Sequence, residues 1–390
     1  MKHKVEKIFF ALLRFEIAGV KLSDDVKNLI TDDLLPSLFK LSKIHDLAHL
    51  IGDALDKNGL LIDGSNAQKF FIKERNLAIF RYERIKYEYD LIVKTLEQSG
   101  TKFVPLKGSV IRKYYPEPWM RTSCDIDILV KEAELDDIAK MLCETLGYSC
   151  PEQRTVNELS LFSSTGVHLE LHYDLTEGDN YGKNILSNIW DYTIQKEGLN
   201  ECELIDPVFY FYHIAHMVKH FENGGCGVRF FLDLWLLNKD DKYIVSEREK
   251  YLKIDNLLQF ANACENLSEI WFDEKQIDDL SVRLQDYILS GGVYGSLKNR
   301  VNVQQAKKGG KFKYILSRVF ISKSKLQVKY PRLKKQPYLL PFYTVKRWFN
   351  LLFTKERRAD ALNELSRVNS LDTTESSYGE KLMSDLGLND

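Results

Sequence analysis

No two cysteines in this chain stand at C-x-x-C spacing. The six present (Cys124, Cys143, Cys150, Cys202, Cys226, Cys264) are scattered. That excludes a zinc ribbon or a dithiol redox motif and fits a reducing cytoplasm. A long apolar run is also missing. The apolar stretch near the start, Ile8 to Leu13, is six residues long before Arg14 and Glu16 interrupt it. A signal peptide needs a longer apolar core and a spanning helix far more, so no transmembrane segment is expected. Residues 5–18 read instead as an amphipathic helix. There is no internal repeat and no low-complexity segment. One absence is local: from Tyr287 to Lys355 there is no Asp or Glu, against sixteen Lys or Arg. The net charge of −1 hides this split, because residues 1–286 sum to −13 and the tail from Glu356 to −4.

What is present fits a globular chain. Its 390 residues exceed one small core and imply two or three packed units. Residues 1–98 read as a helical region. Asn66 to Gln98 repeats apolar residues at three and four (Phe70, Phe71, Leu77, Phe80, Ile85, Tyr89, Ile92, Leu96), the pattern of a long amphipathic helix stopped by Ser99-Gly100. Residues 99–200 change texture. Lys102–Leu106 and Asp125–Val130 read as strands, Glu132–Leu146 as a helix, and Glu158–Ser163 with Val167–Tyr173 as a hairpin around Ser164-Thr165-Gly166. Residues 201–286 are helical again (Val208–Phe221, Arg229–Leu237, Lys253–Cys264). A basic helical region, 287–370, and a loose tail, 371–390, complete the expected organisation. The fold class is α+β: a small mixed β-sheet core flanked by N-terminal and C-terminal α-helical regions.

Three elements carry chemistry. Asp125 and Asp127 stand at i and i+2 of a strand and so project to one face, while Ile126 and Ile128 face the core. Two carboxylates held that close repel unless a cation lies between them, and an oxygen-rich site suits Mg²⁺. Lys107-Gly108-Ser109 follows a strand and opens a helix, where glycine lets backbone approach a phosphate. In Val167-His168-Leu169-Glu170-Leu171-His172, alternation puts His168, Glu170 and His172 on one face. A third carboxylate on a neighbouring strand would complete a two-metal site.

Gly-Ser after a strand, Asp-x-Asp on a second and apolar-Glu-apolar on a third resemble the signature of the nucleotidyltransferase superfamily that includes DNA polymerase β and kanamycin nucleotidyltransferase. The longer string resembles a largely uncharacterised bacterial nucleotidyltransferase group. It comprises Leu106-Lys107-Gly108, Tyr115-Pro116, Arg121, Asp125 to Val130, Gly147-Tyr148, Leu169 to His172, then His213, His216, His220, Arg229 and Asp233-Leu234. The resemblance covers residues 75–240 best. It implies Asp125, Asp127 and Glu170 as catalytic residues and ligands of Mg²⁺ or Mn²⁺, with Glu170 as ligand or base. It implies Gly108 and Ser109 as triphosphate holders, Lys107 and Arg121 as phosphate contacts, and ATP or another NTP as donor. His172 is added to the site by its phase with Glu170. Fifteen residues separate Ser109 from Asp125, slightly more than the superfamily usually shows.

The expected reaction moves an NMP from an NTP to a hydroxyl of an unknown acceptor and releases pyrophosphate. The alternative is a catalytically inactive nucleotide-binding or anionic-surface-binding module of the same fold. His213, His216 and His220 share a helical face, but no Cys or acid joins them at ligand spacing, so packing is preferred to a metal site. Arg229 and Asp233, at i and i+4, read as an ion pair. Cys124 points away from Asp125 and reads as packing. Three readings of residues 287–355 stay open: a solvated face, an anionic polymer such as RNA or an acidic glycan, and membrane headgroups, with a cytoplasmic chain peripheral at the membrane.

Overall fold

The computed structural model of the chain describes residues 2–150, 154–155, 157–176, 181–240, 242–321, 323, 326–327, 330, 332–353, 366 and 373–388. The fold is α+β, with a four-stranded mixed sheet, a two-stranded ribbon and helices on either side in sequence. The chain divides into two compact units, Met1–Met217 with Gly227–Asp278, and Val218–Cys226 with Asp279–Asp390.

The first unit opens with helices α1 (Lys2–Ala18), α2 (Asp24–Leu29), α3 (Leu35–Ile44), α4 (Ala48–Lys57) and α5 (Asn66–Ser99). Helix α1 buries Val5, Ile8, Phe9, Leu12 and Leu13, as its apolar spacing predicts. The 34-residue α5 starts at Ser65, whose hydroxyl accepts the Gln68 amide, and stops at Gly100 in the left-handed region, φ 74°. Its buried stripe is Phe71, Ala78, Ile85 and Ile92 with Leu96. These first four residues stand seven apart, two turns each, so they stack along one line. Phe70 and Phe80, placed in the stripe by sequence, lie exposed instead. At about 100° per residue Phe70 falls about 100° from that line and Phe80 about 150°, on the same side of it and away from the buried face. Helix α4 crosses α5 closely at Gly52, where a Cβ would meet the Phe71 backbone oxygen at 2.9 Å.

The sheet follows in the order β1-β2-β4-β3, built from β1 (Val104–Pro105), β2 (Asp125–Leu129), β3 (Glu158–Phe162) and β4 (His168–His172). β1 runs antiparallel to β2, β2 parallel to β4, and β3 and β4 form the expected antiparallel pair. Between the strands lie α6 (Gly108–Ile111) and α7 (Leu135–Leu146), the latter closed by Gly147 at φ 70°. Ile126, Ile128, Leu159, Leu161, Leu169 and Leu171 turn to one face and pack with Ile85, Ile92 and Leu96 of α5 and Leu135, Ile138 and Leu142 of α7. Glu88 of α5 accepts from Tyr148 Oη (2.9 Å) and from Thr165 Oγ1 (2.6 Å), fixing the helix to the turn end of the β3–β4 ladder. The other sheet face is left for polar residues.

After α8 (Lys183–Leu186), strands β5 (Thr193–Gln195) and β6 (Cys202–Leu204) pair antiparallel. Then come α9 (Asp206–Glu222), α10 (Gly227–Leu237), α11 (Val245–Ile254) and α12 (Leu258–Phe272). The single helix expected over Lys253–Cys264 is two. The break falls at Asn256, whose φ of 56° no continuing helix allows and which asparagine tolerates. The second unit holds α13 (Asp279–Gly291), α14 (Leu297–Lys307), α15 (Lys311–Val319) and helices over Arg332–Lys335, Leu340–Phe353 and Thr373–Asp385. The last replaces most of the loose tail expected from residue 371. Leu382 and Met383 within it and Leu386 and Leu388 just beyond are buried, and Asp385 pairs with Arg283 at 2.5 Å.

Candidate active site

The polar sheet face collects the carboxylates. Parallel register sets Asp125 opposite His168 and Asp127 opposite Glu170, with His172 opposite Leu129. Because side chains alternate, Asp125, Asp127, His168, Glu170 and His172 share one face, as the spacing predicts. β3 adds Glu158, opposite His172, and Phe162, opposite His168. The Phe162 and His168 rings stack at 4.6 Å and 9°.

Lys107 reaches this face from the turn after β1. The Leu106 amide donates to the Asp127 carbonyl at 3.0 Å, which pins the turn to β2. Lys107 itself takes φ 43° and ψ −116°, a conformation costly for a residue with a Cβ. Its Nζ donates to Asp127 Oδ1 at 2.6 Å and lies 4.0 Å from Glu170 Oε2. His172 Nε2 lies 2.8 Å from the same Asp127 oxygen and 3.4 Å from Glu170 Oε2, and its Nδ1 lies 3.6 Å from Glu158 Oε2. His168 Nδ1 lies 3.6 Å from Glu170 Oε1, while its Nε2 is buried without a hydrogen-bond partner.

The charges push one another apart. Burial raises the Asp125 carboxyl, and the Asp127 and Glu170 charges raise it further. Burial would raise Asp127 too, but the Lys107 ammonium and the His172 hydrogen bond outweigh it and hold Asp127 well below the carboxylate range. Burial disfavours charged Lys107 and His172, yet Tyr212, Asp127 and Glu170 raise Lys107, and Asp127 and Glu170 raise His172. Asp125 is therefore the carboxylate that lacks a counterion.

Two sets of three side chains meet the demands of a cation: Asp125 with His168 and Glu170, and Asp127 with Glu170 and His172. In each set one ligand atom per residue lies within 4.8 Å of the others, the span that ligands about 2.0–2.6 Å from one ion produce. Carboxylate oxygens suit Mg²⁺ and Mn²⁺, and the raised Asp125 marks where a positive charge is missing, so the residues fit a divalent ion. Glu170 belongs to both sets.

The loop between α6 and β2 is held from behind. Gly108 opens α6 with no room for a side chain, since a Cβ would meet Arg121 Nη1 at 3.0 Å and Ser123 Cβ at 3.4 Å. The Ser109 amide donates to the Leu106 carbonyl at 3.1 Å. Arg121, expected at the phosphates, is buried, with its guanidinium committed elsewhere. Nε and Nη2 donate to Asp233 Oδ1 and Oδ2 (3.2 and 2.9 Å) and Nη1 to the Thr122 carbonyl (3.0 Å). Tyr115 Oη also donates to Asp233 Oδ1, at 2.7 Å. Asp233 thus pairs with Arg121 and not with Arg229, as the i, i+4 spacing suggested. Arg229 instead meets Asp46 at 2.9 Å and the Thr122 carbonyl at 3.1 Å. His49 Nε2 donates to the Met120 carbonyl at 2.8 Å.

Sequence reasoning missed Arg112. Its Nε donates to the Gly108 carbonyl (2.8 Å), its Nη2 to Ser123 Oγ (2.9 Å), and it lies 5.5 Å over the Tyr82 ring. Burial and the nearby Arg121 charge push it down to about 10. Its signal was the spacing of four from Gly108. His168 carried the same phase as Glu170 and His172 but was left out of the site. Cys124, read as packing, is exposed, because β2 begins only at Asp125. His213 and His216 pack on the Phe230 ring at 6.0 and 5.7 Å, and among the described residues no candidate metal set includes His213, His216 or His220.

A family model described as an uncharacterised nucleotidyltransferase matches residues 35–266, more than half of the chain. No curated protein and no solved structure matches.

Proposed function

Since the chain belongs to this uncharacterised nucleotidyltransferase family, we propose that it moves an NMP from an NTP to a hydroxyl of an acceptor, with release of pyrophosphate. The observation that carries the reading is the strand register that sets Asp125 and Asp127 beside Glu170, with Lys107 Nζ 2.6 Å from Asp127 and 4.0 Å from Glu170. Asp125, Asp127 and Glu170, with His168 and His172 beside them, would hold Mg²⁺ or Mn²⁺. When bound, such an ion supplies charge against the phosphates and lowers the proton affinity of an acceptor hydroxyl.

The chain's own residues account for the rest. The acceptor oxygen attacks the α-phosphorus, the bond to the bridging α–β oxygen breaks, and pyrophosphate leaves with that electron pair. Glu170, partly exposed at the middle of β4, takes the hydroxyl proton. Lys107 supplies the ammonium for the phosphates, and Gly108 and Ser109 form the turn against which they rest. Arg112, Arg121 and Asp233 position that turn from behind. The helical regions on either side of residues 99–200 would select the acceptor.

The test is incubation of the purified chain with NTPs labelled at the α-phosphate, a divalent ion and cell extract, following label transfer and pyrophosphate. Mg²⁺-dependent transfer that Asp127→Asn abolishes is expected. Transfer unaffected by that substitution would refute the assignment.

One observation favours a second reading. Lys107 and His172 both contact Asp127 Oδ1, so the protein already neutralises the carboxylate that catalysis would assign to metal. A nucleotide-binding module without catalysis would show thermal stabilisation by NTP and no pyrophosphate.

A further inference from the structure

The second unit has a surface that the proposed transfer reaction does not use. Between Tyr287 and Lys355 stand sixteen Lys or Arg and no acid. Two of its helices also leave large apolar side chains outside. In α15, Tyr314 is buried on Val301, but Phe312, Leu316 and Val319 are exposed. They occupy i, i+4 and i+7 and so share one face. In the Leu340–Phe353 helix, Phe342, Val345 and Phe349 are exposed at i, i+3 and i+7, again one face. Phe312 and Phe342 keep 74% and 61% of their surface in solvent.

The two helices are joined to each other. Arg347 Nη1 and Trp348 Nε1 donate to the Val319 carbonyl at 2.9 and 3.0 Å, and Arg347 Nη2 donates to the Arg318 carbonyl at 2.6 Å. These bonds satisfy carbonyls that a helix C-terminus leaves open. Phe320, itself exposed, meets the Trp348 ring edge-on at 5.4 Å. Exposed cations flank the apolar residues at Lys311, Lys313, Arg318, Lys323, Arg332 and Lys346.

Apolar faces of this size left in water mark an interaction site. The charge decides the sign of the partner: with no acid in the stretch, a cationic or neutral partner gains nothing, and an anionic one gains from every Lys and Arg. The side chains decide its phase. A single-stranded nucleic acid takes aromatic rings and cations, but has no use for exposed aliphatic chains such as Leu316, Val319 and Val345. A lipid surface takes all three together, with Phe, Leu and Val in the acyl boundary and Lys or Arg at the headgroups. Among the described residues no helix is long and apolar enough to cross a membrane, so the contact lies in the plane of the surface.

We infer that α15 and the Leu340–Phe353 helix together form a docking face for an anionic lipid bilayer.

The test uses the full chain in flotation with phosphatidylcholine vesicles, with and without one quarter phosphatidylglycerol. Binding is expected to the anionic vesicles alone and to weaken steeply from 50 to 300 mM salt. The double substitution Phe312→Ser/Phe342→Ser should lower affinity at least about tenfold, since two large apolar side chains no longer enter the boundary. Lys311→Gln/Lys346→Gln should lower it several-fold and flatten the salt dependence. Both residues of each pair are exposed, so melting temperature and far-UV circular dichroism should stay unchanged and separate lost binding from lost fold. Three results would overturn the inference: no flotation with anionic vesicles, equal flotation with neutral ones, or anionic binding that the phenylalanine pair leaves intact. Tight binding to homopolymeric RNA without vesicle binding would also overturn it, and would assign the face to a nucleic acid.

Discussion

Replacing Asp233 by alanine would test how the site is held in place. Asp233 is fully buried and Arg121 is 7% exposed. The carboxylate accepts two bonds from the guanidinium and one from the Tyr115 hydroxyl. Remove it, and Arg121 keeps only the Thr122 carbonyl among these partners, in a place where water does not compensate. Breaking one side of a buried ion pair costs about 3–5 kcal/mol. In a unit of this size that is a fall in melting temperature on the order of 10 °C. Tyr115→Phe, which removes one neutral donor, should cost only about 1 kcal/mol. The double substitution Arg121→Met/Asp233→Leu removes both charges and keeps apolar volume, so it should recover most of the loss. Denaturant titration followed by tryptophan fluorescence reads this well, since Trp119, Trp190, Trp235 and Trp271 all lie in the first unit. A loss under about 1 kcal/mol for Asp233→Ala, or a double variant no more stable than the single, would refute the reasoning. A second readout bears on Arg121. If Arg121→Met/Asp233→Leu keeps thermal stabilisation by NTP, Arg121 acts by positioning the Gly108 turn and does not touch phosphate.

Three further outcomes are expected. Asp127→Asn should lower transfer by at least about a thousandfold, should also lower the melting temperature because Lys107 and His172 lose a buried counterion, and should drop the proton affinities of both, measurable by NMR titration. Burial pushes the His213 imidazole down to about 4, against an ordinary value near 6.5. The unfolded chain gains its proton near pH 6.5 and the folded chain only near 4, so this contribution is complete above pH 6.5 and falls by about 3 kcal/mol as the pH drops to 4. His213→Gln should flatten that part of the stability profile, and identical acid slopes for both proteins would refute it. Gly52→Val should cost about 1–3 kcal/mol by denaturant titration, because its Cβ would press on the Phe71 backbone at 2.9 Å.

The triad was legible because its information is local. Alternation along β2 and β4 fixes which side chains share a face, and parallel register then brings Asp127 and Glu170 level. Arg121 was misread for the opposite reason. Its partner Asp233 lies 112 residues away, and no period in either segment encodes that meeting. The false Arg229–Asp233 pair shows the same limit: spacing of four permits contact on one helix, while Asp46 and Arg121 offered each residue a better-placed partner. In α5 the apolar pattern was real, but two phenylalanines well off the line of burial made it look wider than it is. The helix over Thr373–Asp385 was hidden by its composition, since Thr-Thr-Glu-Ser-Ser favours caps and turns, and burial of Leu382, Met383 and Leu386 outweighs that preference.

Lys107 has a consequence for covalent labelling. Reagents that acylate or alkylate amines attack only the free base. Against the opposing effect of burial, Tyr212, Asp127 and Glu170 together hold this amine charged well past the pH at which ordinary lysines begin to react. Among the lysines of the chain it should therefore be one of the last to label, though part of its side chain is open to solvent. Asp127→Asn reverses the balance: burial then acts with less opposition, the free base appears at lower pH, and a lysine silent in the native protein becomes a reactive one. The mass spectrum of a labelled digest would read the state of the carboxylates without substrate, metal or turnover.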